Sequence, residues 1–262
     1  MKSISNISAV AVIPTHLASV RFPRKILFEI DGLPMIEHVR RRALLCSSLE
    51  RVVVATCDDE IASVVNSYGG DVIMTSTSHT NGTSRVAEAV NNIECTHVVL
   101  VQGDEPLLLP SHIDEIISSM QTHLDMQAWN ATAPIIDAND LDRHSFVKCV
   151  VNEYNRIIYC FRRSPCYSSP DIQSLFVRKI LGLIAFRKDF LCSFDFLNAS
   201  SIERYESIEQ MRIIENCIPF MSVPVSTALP SVNEPLDVDV LLKYVHSHPE
   251  QIALMQDIKS LN

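Results

Sequence analysis

Three polar segments carry most of the side chains whose types and spacing suit chemistry. The first, residues 13–27, reads IPTHLASVRFPRKIL and places His16, Arg21, Arg24 and Lys25 within ten positions. Converging cations suit a polyphosphate, because Arg and Lys neutralise the charge that spreads onto non-bridging oxygens when a phosphoryl group is attacked. A solvated basic loop is the plainer alternative. The segment is not a Walker A loop, since the glycine spacing and GK[ST] are missing. The second segment, residues 75–90, reads TSTSHTNGTSRVAEAV. Asn81, Gly82 and Thr83 open a helix there, with Arg85 in its first turn. Free N–H groups at that terminus suit a base or a phosphate; an ordinary cap by Asn81 or Thr83 is the alternative. The third, residues 98–108, reads VVLVQGDEPLL. Gly103 allows a tight approach, and Asp104 stands at a strand's carboxyl end, where a Mg²⁺ ligand belongs in a nucleotide enzyme. A simple β-turn is the competing reading.

Other residues invite plainer readings. Glu94, Cys95 and His97 have no spacing of a known metal site. His38 falls within a helix, His246 and His248 near the end of the last one, and Trp129 reads as core or interface. No Ser-His-Asp or Cys-His nucleophile is apparent.

The elements that must position these loops alternate. Strands are expected at residues 7–14, 51–56, 72–75 and 97–101, and helices at 34–45, 59–66 (capped by Asp58), 83–91 and 111–124. Continuous apolar strands separated by helices indicate a mostly parallel sheet covered on both faces. Further on, strands are expected at 130–136, 146–151, 156–161, 181–186 and 220–224, with helices at 202–216 and 235–247. The expectation is one α/β domain over 1–262, with an antiparallel subregion inserted at about 130–190. Ligands of an open α/β sheet bind beyond the strands' carboxyl ends, where the three loops lie.

Composition narrows the classes. The 262 residues are 47% hydrophobic and 20% charged, enough for a sizeable core. With 22 basic and 31 acidic residues the net charge is −9, which argues against a nucleic-acid or membrane-surface partner. No apolar run approaches the roughly 18–20 residues of a membrane span. No leader is expected, since the first residues lack an apolar h-region. The eight cysteines, without CxxC spacing, read as buried hydrophobes in a reducing compartment, so a cytoplasmic protein is expected.

Taken in order, IP-x₄-S-x-R-x-P-x-K, D-G-x-PMI-x-H-V, VATxDDxI, H-x-x-GT-x-R-x-A-E, VQGDEP, VK-x-V and the EQ-x-R stretch resemble the CMP-Kdo synthetases, the 3-deoxy-manno-octulosonate cytidylyltransferases. The resemblance runs from about residue 9 to about residue 245. It implies a Rossmann-like nucleotidyltransferase fold, CTP and a sugar acid as substrates, Mg²⁺, and a homodimer formed through the segment 130–180. The implied reaction, attack of a 3-deoxy-ulosonic acid's anomeric hydroxyl on the α-phosphate of CTP, serves cell-surface polysaccharide such as lipopolysaccharide. By motif position, Lys25, Asp104 and Arg21 would be catalytic. Pro14, His16, Ser19, Arg21, Lys25, Gly82, Thr83 and Arg85 would bind CTP. Gln102, Arg162, Glu209 and Gln210 would serve the sugar acid. Asp104, with Asn233, would hold the metal.

The sequence departs from that family in four places. His16 stands for an arginine. Arg24 stands for a glycine and would add back a cation. Ile180 and Ile184 stand for a histidine and a tyrosine at the sugar, and Asn233 for a metal-binding aspartate. The readings are therefore a CMP-Kdo synthetase, a cytidylyltransferase for a related acid, or a nucleotide-binding relative with an interaction or regulatory role.

Overall fold

The computed structural model describes residues 7–261. By its internal contacts the chain forms two compact units, Met1–Asp114 with Leu229–Asn262, and Glu115–Ala228. Along the first run strand β1 (Ala9–Thr15), a hairpin of β2 (Glu29–Ile30) and β3 (Leu33–Pro34), helix α1 (Met35–Leu44), β4 (Arg51–Thr56), α2 (Asp59–Ser67), β5 (Asp71–Met74), α3 (Gly82–Ala89) and β6 (His97–Val101). Helix α4 (Pro110–Thr122) leads out of it.

The valine-rich strands pair as their patterns require. β1 lies parallel between β4 and β6, and β4 is flanked by β5, also parallel. All seven residues of β1 are buried, as expected of a strand covered on both faces. Because the strands run the same way, the loops after β1, β4, β5 and β6 leave from one edge. The β2–β3 turn, Asp31-Gly32, takes positive φ at both residues (49° and 80°), the pattern of a type I′ hairpin.

The second unit holds β7 (Ala128–Pro134), β8 (Lys148–Val151), β9 (Ile157–Phe161), α5 (Pro170–Gln173), β10 (Val177–Arg187), α6 (Lys188–Ser193), α7 (Ser201–Glu206), α8 (Gln210–Glu215) and β11 (Phe220–Pro224). Here β10 pairs antiparallel with β7 and β8, and β8 with β9. The two units together give the mixed α/β architecture that the sequence indicates. Trp129 is wholly buried.

Three local expectations change. The helix expected over residues 202–216 is two, because Ser207 adopts φ 54° and ends α7 in a left-handed cap. Arg212 then reaches back from α8 to Glu203, at 2.6 Å and 2.8 Å. The strand expected at 181–186 begins at Val177, and its register against β7 shifts between Ile180 and Ile184, a bulge that contains Gly182. Finally, α9 (Asp237–Ser247) is followed by α10 (Pro249–Ser260), which starts on Pro249 and was not expected.

These last helices close the first unit. Leu241, Val245, Met255 and Ile258 pack with Ile30, Leu33 and Met35, each fully buried side chain worth about 1.5–3 kcal/mol. A buried ionic group reinforces the seat. Glu37 on α1 accepts from Arg40 at 2.7 Å and Arg41 at 3.1 Å, and Arg41 also donates to the carbonyls of Ile258 and Leu261.

Candidate active site

A cavity of about 670 Å³ opens at the carboxyl edge of the first unit's sheet. The three polar loops meet there, joined by Cys57 and Asp58 after β4. From the first loop come Pro14, His16, Ser19, Arg21 and Lys25; from the second, Gly82 and Arg85; from the third, Gln102 and Asp104. Of the expected CTP-site residues, Thr83 does not line the cavity; as the second residue of α3, it is buried at 2% exposure.

Two glycines make the convergence possible. A Cβ on Gly103 would stand 2.8 Å from Thr15 Cγ2 and 3.2 Å from Ile26 Cδ1, so a side chain there would push the first and third loops apart. A Cβ on Gly82 would stand 3.2 Å from Pro14 Cγ and 3.7 Å from Gln102 Nε2.

The loops are then pinned by polar contacts. Asp58, expected to cap α2, instead turns its carboxylate to the first loop and accepts from Leu17 N at 2.9 Å. Lys25 Nζ donates to Asp104 Oδ2 at 2.6 Å and to the Val232 carbonyl at 3.0 Å. Val232 N returns a bond to the Asp104 carbonyl, at 3.1 Å. Asn233 follows directly, and its Oδ1 accepts from Arg21 Nη2 at 3.3 Å. Asp237 is spent locally, since one carboxylate oxygen accepts from Asn233 N and Glu234 N.

Arg85 is nearly buried, with Nη1 bonded to Thr75 Oγ1 at 2.7 Å and to the Ser76 carbonyl. The cap of α3 is Asn81, whose side chain accepts from Ser84 N. Glu88 accepts from His79 and from Ser76 N, and the His79 contact chiefly holds its carboxyl below the usual range. Arg24 does not add a cation to the cavity. It pairs with Glu60, and its backbone sits at φ 62°, in the left-handed region that favours glycine.

A family model for cytidylyltransferases matches residues 10–219. The chain belongs to the cytidylyltransferase family. Among curated cytidylyltransferases it is 37% identical over 246 residues to a 3-deoxy-manno-octulosonate cytidylyltransferase from Chlorobium phaeobacteroides, covering 93% of this chain and 99% of that one. It is 36% identical over 208 residues to an 8-amino-3,8-dideoxy-manno-octulosonate cytidylyltransferase from Shewanella baltica, covering 78% of this chain and 84% of that one. Among solved structures it resembles a CMP:2-keto-3-deoxy-manno-octonic acid synthetase complexed with CTP. That likeness has a TM-score of 0.85 at 31% identity and covers 91% of this chain and 98% of the other.

In this cytidylyltransferase the remaining candidates of the second unit are held by hydrogen bonds within that unit. Arg162 gives its guanidinium to the carbonyls of Glu206, Ser207 and His144, so it holds the end of α7. Lys148, also within the motifs, is fully buried and donates to the carbonyls of Arg143, Phe146 and Arg162. Burial pushes its pKa down to about 8. Gln210 Nε2 donates to Asn130 Oδ1 at 3.3 Å, and Asn130 in turn bonds the carbonyls of Leu181 and Leu183 at the β10 bulge. Ile184 is buried and Ile180 half-buried on that strand.

Sequence reasoning missed three supports in the cytidylyltransferase cavity, namely Asp58, the Val232 carbonyl and His79. Asp58 and His79 lie inside quoted motifs, whereas a backbone carbonyl some 200 positions from Lys25 leaves no sequence signal.

Proposed function

We propose that this cytidylyltransferase activates a 3-deoxy-ulosonic acid, Kdo or a close relative, with CTP. The sugar's anomeric hydroxyl attacks the α-phosphate, giving a CMP-sugar and pyrophosphate for cell-surface polysaccharide. The observation that carries this is the convergence of Arg21, Lys25, Arg85 and His16 with the Asp104 carboxylate in a cavity at the strand ends.

In this reading Lys25, Arg21 and His16 take the phosphates, and Arg85 both shapes the Thr75–Ser76 turn and adds positive charge. Phosphoryl-type transfers are accelerated mainly by positioning and by charge neutralisation, and no protein nucleophile is needed. The donor set suits magnesium, which is held by one or two carboxylates together with substrate phosphates and water. Asp104 would hold it, and Asn233, whose Oδ1 here accepts from Arg21, would add an amide oxygen. When bound, the ion would draw charge from the triphosphate. Lys25 then has two acceptors to choose between, Asp104 and the phosphates, and it remains anchored to the Val232 carbonyl in either case. The sugar-acid roles of Gln102, Arg162, Glu209 and Gln210 and a homodimer are proposed from the family resemblance, and a cytoplasmic location from the cysteine usage.

A related acceptor is favoured over unmodified Kdo by Ile180 and Ile184, which offer no hydrogen bond where the resemblance places polar contacts. Mass spectrometry of the product made from CTP and Kdo tests the reading. A CMP-linked sugar acid is expected, and intact CTP with every ulosonic acid offered would refute it.

A further inference from the structure

One wall of the cavity comes from residues 77–85, and an imidazole bridges two parts of that segment. His79 Nδ1 lies 3.0 Å from Ser84 Oγ, and its Nε2 contacts the Glu88 carboxylate. Glu88 also accepts from Ser76 N, with 3.0 Å to Oε2. Ser84 in turn is bonded twice to Asn81, its N to Asn81 Oδ1 at 2.8 Å and its Oγ to the Asn81 carbonyl at 3.3 Å. His79, Asn81 and Gly82 all line the cavity. The His79 side chain thus bridges Glu88, which holds the start of the loop, and Ser84 in the helix turn that meets the cavity. Arg85 makes a second tie across the loop, from its Nη1 to the Ser76 carbonyl at 3.4 Å, but it is His79 that reaches Ser84 and, through it, Asn81.

The geometry points to His79 as a positioning residue for nucleotide binding, which fixes Asn81 and Gly82 against the nucleotide by bridging Ser84 and Glu88. This rests on reading the cavity as a nucleotide site. Asn81 and Gly82 stand at the start of α3, where an anion or a base edge meets N–H donors, so a shift of this turn would weaken the grip on the nucleotide. The chemical step is governed instead by Lys25 and Asp104, so its rate at saturation should be spared. A bond to a charged partner is worth about 1.5–3 kcal/mol, roughly tenfold or more in affinity.

The test compares wild type with His79→Ala, His79→Gln and Ser84→Ala. Calorimetry reads the Kd for CTP, steady-state assays read KM and kcat, and circular dichroism reads folding. His79→Ala is expected to raise Kd and KM about tenfold with kcat within about twofold. Ser84→Ala removes the same link from its other end and should raise both severalfold. His79→Gln, able to reach Glu88 in place of Nε2, should recover most of the loss. Should His79→Ala fail to fold, Ser84→Ala carries the decision. Unchanged CTP affinity in a folded variant, or a fall in kcat without a change in KM, overturns the inference. Wild type that binds no CTP overturns the nucleotide reading and this inference with it.

Discussion

Lys25 Nζ lies 2.6 Å from Asp104 Oδ2, which joins the residue that ends the cationic loop to the carboxylate at the end of β6. Both side chains are largely sheltered, 11% and 27% exposed. The pair sets the charge at the centre of the cavity, so Asp104→Asn is the sharpest single change. Pyrophosphate release should fall by at least about a hundredfold. Lys25 keeps its Val232 partner, so the melting temperature should drop only by a few degrees. Stopped turnover with an unfolded protein would remove the argument.

His16 lines the cavity from an exposed position on the first loop. An arginine there carries its charge at every working pH and presents a fork of donors that matches phosphate oxygens. His16→Arg should therefore lower KM for CTP about three- to tenfold with little change in kcat, read from steady-state kinetics at fixed pH. A raised KM would mean that His16 does not face the phosphates.

In the proposed function Ile180 would face the acceptor. A hydroxyl buried without a partner costs about 1–3 kcal/mol. Ile180→His should accordingly raise kcat/KM for Kdo about tenfold while leaving KM for CTP unchanged. If Kdo is already the best acceptor of a set of deoxygenated and substituted analogues, Ile180 does not set the choice of acceptor.

His38 gives the fold an acid limit. It is buried at 1% exposure, its Nε2 contacts the Ile30 carbonyl at 2.8 Å, and burial pushes its pKa down from 6.5 to about 4. Below pH 6.5 the unfolded chain takes up a proton that the folded chain refuses, so stability falls as pH falls, down to about pH 4. The loss from this group totals about 3 kcal/mol. Chemical denaturation between pH 7 and pH 4 should show it, and His38→Gln should flatten that part of the curve. An unchanged slope in the variant would assign the acid sensitivity elsewhere.

Much of this was legible in the sequence because strands and loops signal themselves locally. Runs such as RVVVAT and HVVLV can only be buried strands, and the loops after parallel strands must gather at one edge. Asp104 and Lys25 were found that way. The break at Ser207 was not, since nothing in the sequence demands a left-handed serine there. Nor was α10, whose weak amphipathicity hides a helix held by Arg41 through two carbonyls. Arg24 misled for a related reason: its charge was visible, but its pairing with Glu60 depends on how the loop meets α2. Side-chain partners distant in sequence, such as Asp58 for Leu17, appear only once the strands are assembled.

In the proposed function the cavity built around Lys25 and Asp104 carries out cytidylyl transfer to an ulosonic acid. Pyrophosphate release should be measured with each of CTP, ATP, GTP and UTP, with Mg²⁺, in the presence and absence of a set of 3-deoxy-ulosonic acids. Release from CTP that depends on the sugar acid is expected, with little from the other three nucleotides. Release that ignores the base or needs no sugar acid, or its absence with every acid offered, would contradict it.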